Sequence, residues 1–286
     1  MEDNQSQYKL TEQQLAQIEA EIKSSQPLTS QLLPIDALIQ QYSNDDDDEQ
    51  DASGFLTSSR LLAAKYTNLR RIRGDGNCYY RAFLYSLCEG LLHQKTNGKS
   101  DEYTRIKSIV HKSLSWVCTL GYEESTIEMF YEELVELIDY IDSDTNNEAT
   151  MKSQLHDKLN EENSTSDYCT WYLRVLTAAQ MKSDPDRFLP FLLAEESSSG
   201  LISMDIPTFC SREVEPMNKE CGMVQVAALA ECFGVSVKIE YMDGRVVEGE
   251  GGMKKVACHE FGGDGDDGKR MEITLLYRPG HYDILY

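Results

Sequence analysis

A change of hydrophobic period near Gly234 limits what this chain can fold into more than any other feature. Before it, apolar residues recur at helical spacing in one segment after another; after it, Val235-Ser236-Val237-Lys238-Ile239-Glu240-Tyr241 alternates with period two. Asp243-Gly244 predicts a hairpin turn, with Arg245-Val246-Val247 as the returning strand. Met271 to Tyr277 predicts another strand, and Pro279-Gly280 turns the chain into a last one over His281 to Tyr286. Helices first and strands gathered late predict an α+β fold, with a small central sheet flanked by helices.

The helical part begins with an arm. Residues 8–24 carry a capping box at Thr11 and Gln14 and a thin apolar stripe of Leu15, Ile18 and Ile22. So narrow a stripe fits a docking helix better than a core helix; the bland alternative is a frayed terminus. Pro27 ends it, and a short apolar stretch leads to Asp45-Asp46-Asp47-Asp48-Glu49-Gln50-Asp51, which reads as a solvated linker. The predicted organisation is therefore residues 1–50 as helix and linker, and residues 51–286 as one folded domain.

Further helices are predicted over 55–66, 104–120, 148–159 and around 168–179. Another is opened by a capping box at Ser125-Thr126-Ile127-Glu128, with Ile127, Phe130, Leu134, Leu137, Ile138 and Ile141 facing inward. Asp184-Pro185 starts the next helix, and a short one through Val224 and Phe233 stops at Gly234. Residues 201–216 read as irregular.

Charge narrows the function. Lys+Arg 27 against Asp+Glu 49 leaves a net charge of -22, which repels nucleic-acid phosphates and anionic membranes and favours basic or neutral protein partners. Arg70, Arg71 and Arg73 are expected to line the substrate approach or pair with carboxylates. The first residues show no signal-peptide pattern, and no run is apolar enough to span a membrane. Eight cysteines without a CxxC pair read as reduced thiols of the cytoplasm or nucleus. Cys258-His259 lacks a second ligand pair at zinc spacing, so no metal is expected. Gly263 to Lys269 mimics a phosphate loop, but Arg270 replaces the required Ser/Thr and the loop's aspartates repel phosphate, so no nucleotide cofactor is expected.

The chemistry centres on Gly74-Asp75-Gly76-Asn77-Cys78. The glycines allow a tight turn that exposes backbone N–H groups, a plausible oxyanion cradle. Tyr79, Ala82, Phe83, Leu87 and Leu91 then follow at helical spacing, which places Cys78 in the first turn of a buried helix, where the positive helix end favours a thiolate. A lone cysteine is usually just a small buried hydrophobe, so Cys78 needs a partner before it reads as a nucleophile. Of the histidines, only His281 follows a tight turn at a strand start. Asp283, two residues on, shares its face and can orient the imidazole.

Asp75-Gly76-Asn77-Cys78-Tyr79-Tyr80-Arg81-Ala82-Phe83, Val214-Glu215-Pro216-Met217 and Tyr277-Arg278-Pro279-Gly280-His281-Tyr282-Asp283-Ile284-Leu285-Tyr286 closely resemble the otubains, ovarian-tumour-domain cysteine proteases that cleave isopeptide bonds of ubiquitin. The resemblance implies Cys78 as nucleophile, His281 as general base, Asp283 as its orienter, and Asp75 with Gly76 and Asn77 in the loop shaping the oxyanion hole. It further implies ubiquitin and polyubiquitin as partners, a preference for the degradation-associated linkage, and an arm that uses Leu15, Ile18 and Ile22 to hold a ubiquitin. Related proteins also block ubiquitin transfer by binding charged conjugating enzymes, which gives a second, non-catalytic expectation. An acyltransferase or peptidase unrelated to ubiquitin would use the same triad.

Overall fold

The computed structural model describes residues 12–43, 51–98, 100–142, 147–199, 204–249, 252–262 and 270–286. Thr11 and the acidic glycine-rich segment 263–269 therefore lie outside the described residues. In chain order the elements are α1 (Glu12–Ser25), β1 (Leu33–Pro34), α2 (Asp36–Ser43), α3 (Asp51–Ala63), β2 (Asn68–Arg70), α4 (Cys78–Thr96), α5 (Ser100–Thr119), α6 (Glu124–Ile141), α7 (Glu148–Asn160), α8 (Thr165–Ser183), α9 (Pro185–Ser199), α10 (Ile206–Phe209) and α11 (Met223–Phe233). The strands β3 (Ser236–Tyr241), β4 (Val247–Glu248), β5 (Lys254–Lys255), β6 (Ala257–Phe261), β7 (Glu272–Arg278) and β8 (His281–Leu285) follow. The fold is α+β, as the change of period predicts.

Six strands form one mixed sheet in the order β1-β2-β8-β7-β3-β6. Its two faces are covered by different helices. On one face Ile273, Leu275, Tyr282 and Ile284 join the main core, which α4 to α8 and α11 complete; on the other, Leu276 and Leu285 pack with Ile35, Leu38 and Leu62 from the α2–α3 side. The alternation of the strands thus serves two layers. Helix α4 lies between the sheet and the other helices, and its buried side chains run from Cys78 to Leu92. That is why its stripe is broad where α1's is thin.

The structure corrects several sequence expectations. Leu28, Ile35 and Leu38 are buried, and β1 pairs with β2, so residues 28–43 belong to the folded unit and residue 50 is not its boundary. Asp243-Gly244 does not fold a hairpin back onto β3: that strand is flanked by β7 in parallel and β6 antiparallel, while β4 pairs with β5 in a separate ribbon. A local turn signal lost to two partners distant in sequence. The capping box at Ser125 lies inside α6, whose N-cap is Glu123 without a side-chain bond. The segment read as irregular contains α10, capped by Asp205 accepting from the Thr208 N–H, and a π turn over Cys210–Val214. Gly234 does cap α11 in the left-handed conformation, at φ 57°.

Candidate active site

The site is assembled where β8 starts and α4 begins. Cys78 is the first residue of α4 and is 4% exposed. The N–H groups in the first turn of a helix have no intrahelical acceptor, so Cys78 sits where backbone donors and the positive end of the helix dipole converge. His281 opens β8, opposite Arg278 across the tight β7–β8 hairpin. Its Nε2 lies 2.9 Å from Asp283 Oδ1, and Cys78 is close enough to act on the imidazole, so the ring stands between the carboxylate and the sulfur. Cys78, His281 and Asp283 are therefore brought into one constellation.

Burial opposes charge on His281, but Asp283 and Cys78 outweigh that and hold its pKa at about 9. Asp283 is fully buried, which by itself would push its carboxyl up. The hydrogen bond from His281, the charge of Arg278 and the backbone N–H of Ile72 together hold it below the usual carboxylate range. The Ile72 N–H donates to Oδ1 at 2.9 Å and Arg278 Nη2 to Oδ2 at 2.5 Å. Arg278 also reaches the hydroxyl of Tyr42, which stacks on Phe55, so the carboxylate is anchored to the layer over the far face of the sheet.

The loop before Cys78 is built differently. Asp75 Oδ1 accepts from the Asn77 N–H at 3.0 Å, and both Asp75 oxygens accept from Arg81 Nη1 at 2.9 Å. The Asn77 N–H is thereby occupied, which takes it out of the oxyanion cradle. Asp75 acts as a brace of the turn. Gly76 adopts φ 77°, and a Cβ there would lie 2.5 Å from the carbonyl oxygen of Asn218, so glycine is required twice over. The Asn77 side chain donates to Asn218 Oδ1 at 2.8 Å and accepts from the Asn218 N–H at 2.9 Å, zipping this loop to the one that follows the π turn.

Two clefts meet at Gly74. One, of about 720 Å³, is lined by Tyr42, Phe55, Arg71, Arg278 and His281; the other, of about 530 Å³, by Ile22, Arg73, Asp75, Asn77, Glu162 and Asn218. Of the arm residues singled out by sequence, Ile22 reaches the second cleft, and Ile18 is exposed. Leu15 lies on α1, and its side chain is outside the described residues. Arg70 and Arg73 pair with Glu89 and Glu162, as expected of arginines in an acidic chain.

Sequence reasoning missed Arg174, Asn218 and the pairing of Arg81 with Asp75 and Asp167, because nothing in local spacing marks such contacts. Arg278 does have a sequence signal, since it directly precedes the turn that presents His281.

The family model described as Peptidase C65 Otubain matches residues 21–286. Ubiquitin thioesterase OTUB1 of Homo sapiens is 35% identical over 269 residues, covering 94% of this chain and 86% of that protein. The ubiquitin thioesterase otubain-like protein of Caenorhabditis elegans is 32% identical over 280 residues, covering 97% and 87%. Among solved structures, h/ceOTUB1 in complex with ubiquitin aldehyde and UBC13~Ub superposes with a TM-score of 0.78 at 28% identity, covering 96% of both chains. A ceOTUB1 complex with the same partners gives 0.78 at 30% identity, covering 96% of this chain and 98% of that one. With a family match that spans residues 21–286 and relatives that align over nearly the whole chain, the chain belongs to the otubains, peptidase family C65, and is a cysteine-type peptidase.

Proposed function

We propose that this protein is a deubiquitinase that hydrolyses isopeptide bonds of polyubiquitin through Cys78, His281 and Asp283. The carrying observation is the imidazole of His281, held by Asp283 and close to Cys78 where two clefts meet, in a chain whose relatives are ubiquitin thioesterases.

In this reading the Cys78 sulfur attacks the carbonyl carbon of ubiquitin's terminal glycine, and the carbonyl π electrons move onto oxygen. The Cys78 N–H and the start of α4 stabilise that oxyanion. As the tetrahedral centre collapses, the C–N bond breaks and His281 gives its proton to the departing lysine amine. The imidazole then takes a proton from water, whose oxygen attacks the thioester; the C–S bond breaks and ubiquitin leaves with a free carboxylate. Asp283, buried and ionised beside Arg278, orients the ring and stabilises its charged form.

Following the family resemblance, the degradation-associated linkage is the proposed preference, and the cytoplasm or nucleus the proposed location. The test is reaction with ubiquitin bearing a C-terminal electrophile, read by intact mass. One adduct, absent in Cys78→Ala, is the expected result; no adduct in folded protein overturns the assignment.

A second activity is proposed alongside the first. Relatives of nearly the same length have been solved bound to ubiquitin-charged conjugating enzymes, and α1 offers Ile18 exposed and Ile22 at the rim of the second cleft. The protein would then also sequester such conjugates and block ubiquitin transfer. Inhibition of transfer that survives Cys78→Ala and is lost on deleting residues 1–25 is the expected outcome; transfer unaffected by excess intact protein removes this reading.

A further inference from the structure

The loop before Cys78 is held by a residue far from it in sequence. Arg174 lies in the middle of α8, and its side chain is fully buried. Its Nη2 donates to the Gly76 carbonyl at 2.8 Å, to Asn77 Oδ1 at 2.9 Å and to the Lys219 carbonyl at 2.7 Å; its Nη1 donates to the Val214 carbonyl at 2.9 Å. The guanidinium also stands over the Tyr80 ring, 4.4 Å from its centroid. One cation therefore ties the loop before Cys78 to both ends of the segment from the π turn to Lys219.

All four acceptors are neutral oxygens, and no carboxylate is hydrogen-bonded to this guanidinium among the described residues. A buried guanidinium without an acid partner is costly to desolvate, so it marks a position where its geometry is used. The Gly76–Asn77 peptide explains the use. Glycine permits a peptide flip that exchanges the directions of C=O and N–H. A flip there would withdraw the Asn77 N–H from Asp75 and turn the Gly76 carbonyl dipole, changing the field beside the Cys78 N–H. Arg174 holds that carbonyl inward with a charge-assisted bond, stronger than a neutral one.

We propose that Arg174 is a positioning residue for the oxyanion step: it locks the Gly76 carbonyl away from the site, so that the amide at Cys78 faces the developing negative charge. It touches no reacting atom. Because the inference rests on the proposed deubiquitinase reading, the test must separate the two.

Two ubiquitin reagents make that separation. Hydrolysis of a C-terminal fluorogenic amide passes through an oxyanion, whereas alkylation of Cys78 by a C-terminal alkyl bromide is a displacement at saturated carbon that forms none. Both require ubiquitin binding and a competent thiolate. In Arg174→Lys, which keeps the charge but loses the fork, kcat for the amide is expected to fall about 100-fold, within the range for loss of an oxyanion donor. KM and the alkylation rate should each stay within about threefold, since neither depends on the oxyanion. Asn77→Ala, which removes one acceptor of the clamp, gives the same comparison should Arg174→Lys not fold. Parallel loss of hydrolysis and alkylation, or no loss of hydrolysis, overturns the proposal. Absence of amide hydrolysis by the unmutated protein overturns the deubiquitinase reading instead.

Discussion

The two halves of the site are held in place in opposite ways. The half that carries His281 takes its groups from one place: the imidazole, the carboxylate of Asp283 and the guanidinium of Arg278 all come from one hairpin, and the distant Ile72 N–H and Tyr42 hydroxyl only brace them. The half that carries Cys78 is distributed: its loop depends on Arg174 from α8 and Asn218 from beyond the π turn, residues about a hundred or more positions away in the chain. The comparison teaches that a nucleophile at a helix start is only as well placed as the loop that enters the helix. A strand, by contrast, orders its own side chains through its pleat.

The largest effects should come from the reacting groups, one from each half. Cys78→Ala and His281→Ala are each expected to lower kcat/KM on a ubiquitin substrate by at least about 1,000-fold. Thermal midpoints near that of the unmutated protein would show that the loss is chemical. Substantial hydrolysis by either variant would break the site assignment itself.

Next comes the distributed half. Gly76→Ala forces a Cβ against the Asn218 carbonyl at a backbone angle that side chains resist. It should cost about 1–3 kcal/mol of stability and lower kcat by about 100-fold through displacement of the loop. Denaturant unfolding and steady-state kinetics check the two effects separately. A fully active Gly76→Ala would mean that the close approach to Asn218 is dispensable.

The local half should tolerate more. Arg278→Met leaves His281 and Asp283 on the same strand and is expected to lower kcat/KM only about tenfold, as loss of one outer support does. The pH profile sharpens this. With His281 at about 9, activity should fall on the alkaline side as the proton destined for the leaving amine is lost. Removing the Arg278 cation lets Asp283 hold that proton more tightly, so the alkaline limb should move to higher pH. A shift to lower pH would contradict the role of Arg278 as counter-charge.

The smallest expected effect is on stability. The folded-state pKa of His281 lies above its ordinary 6.5, so its contribution is complete below about pH 6.5 and is lost as pH rises through about 9. Asp283 is depressed, so its contribution is present above the ordinary carboxylate range and is lost as pH falls through it. Melting temperatures between pH 6 and 10 should therefore decline more for the unmutated protein than for His281→Gln. Equal declines would place the proton linkage elsewhere.

By itself the sequence determined what short-range physics can encode. The α+β order was legible because hydrophobic period depends on neighbours within a few residues, and the placement of His281 and Asp283 on one face because it needs only a strand. The helix beginning near Cys78 and the positive φ of Gly234 were legible for the same reason. Tertiary structure decided whatever required a partner at a distance. It chose β6 and β7 over the Asp243-Gly244 turn as the neighbours of β3, because a central strand satisfies its hydrogen bonds with whichever strands lie alongside it. It drew Leu28, Ile35 and Leu38 into the core from the arm side of the boundary that the sequence predicts at residue 50. It turned the Asn77 N–H onto Asp75 and set Arg174 beneath the loop. Hydrogen bonds across a hundred residues leave no periodicity in the chain, since only the packed helices and sheet bring their donors and acceptors within reach.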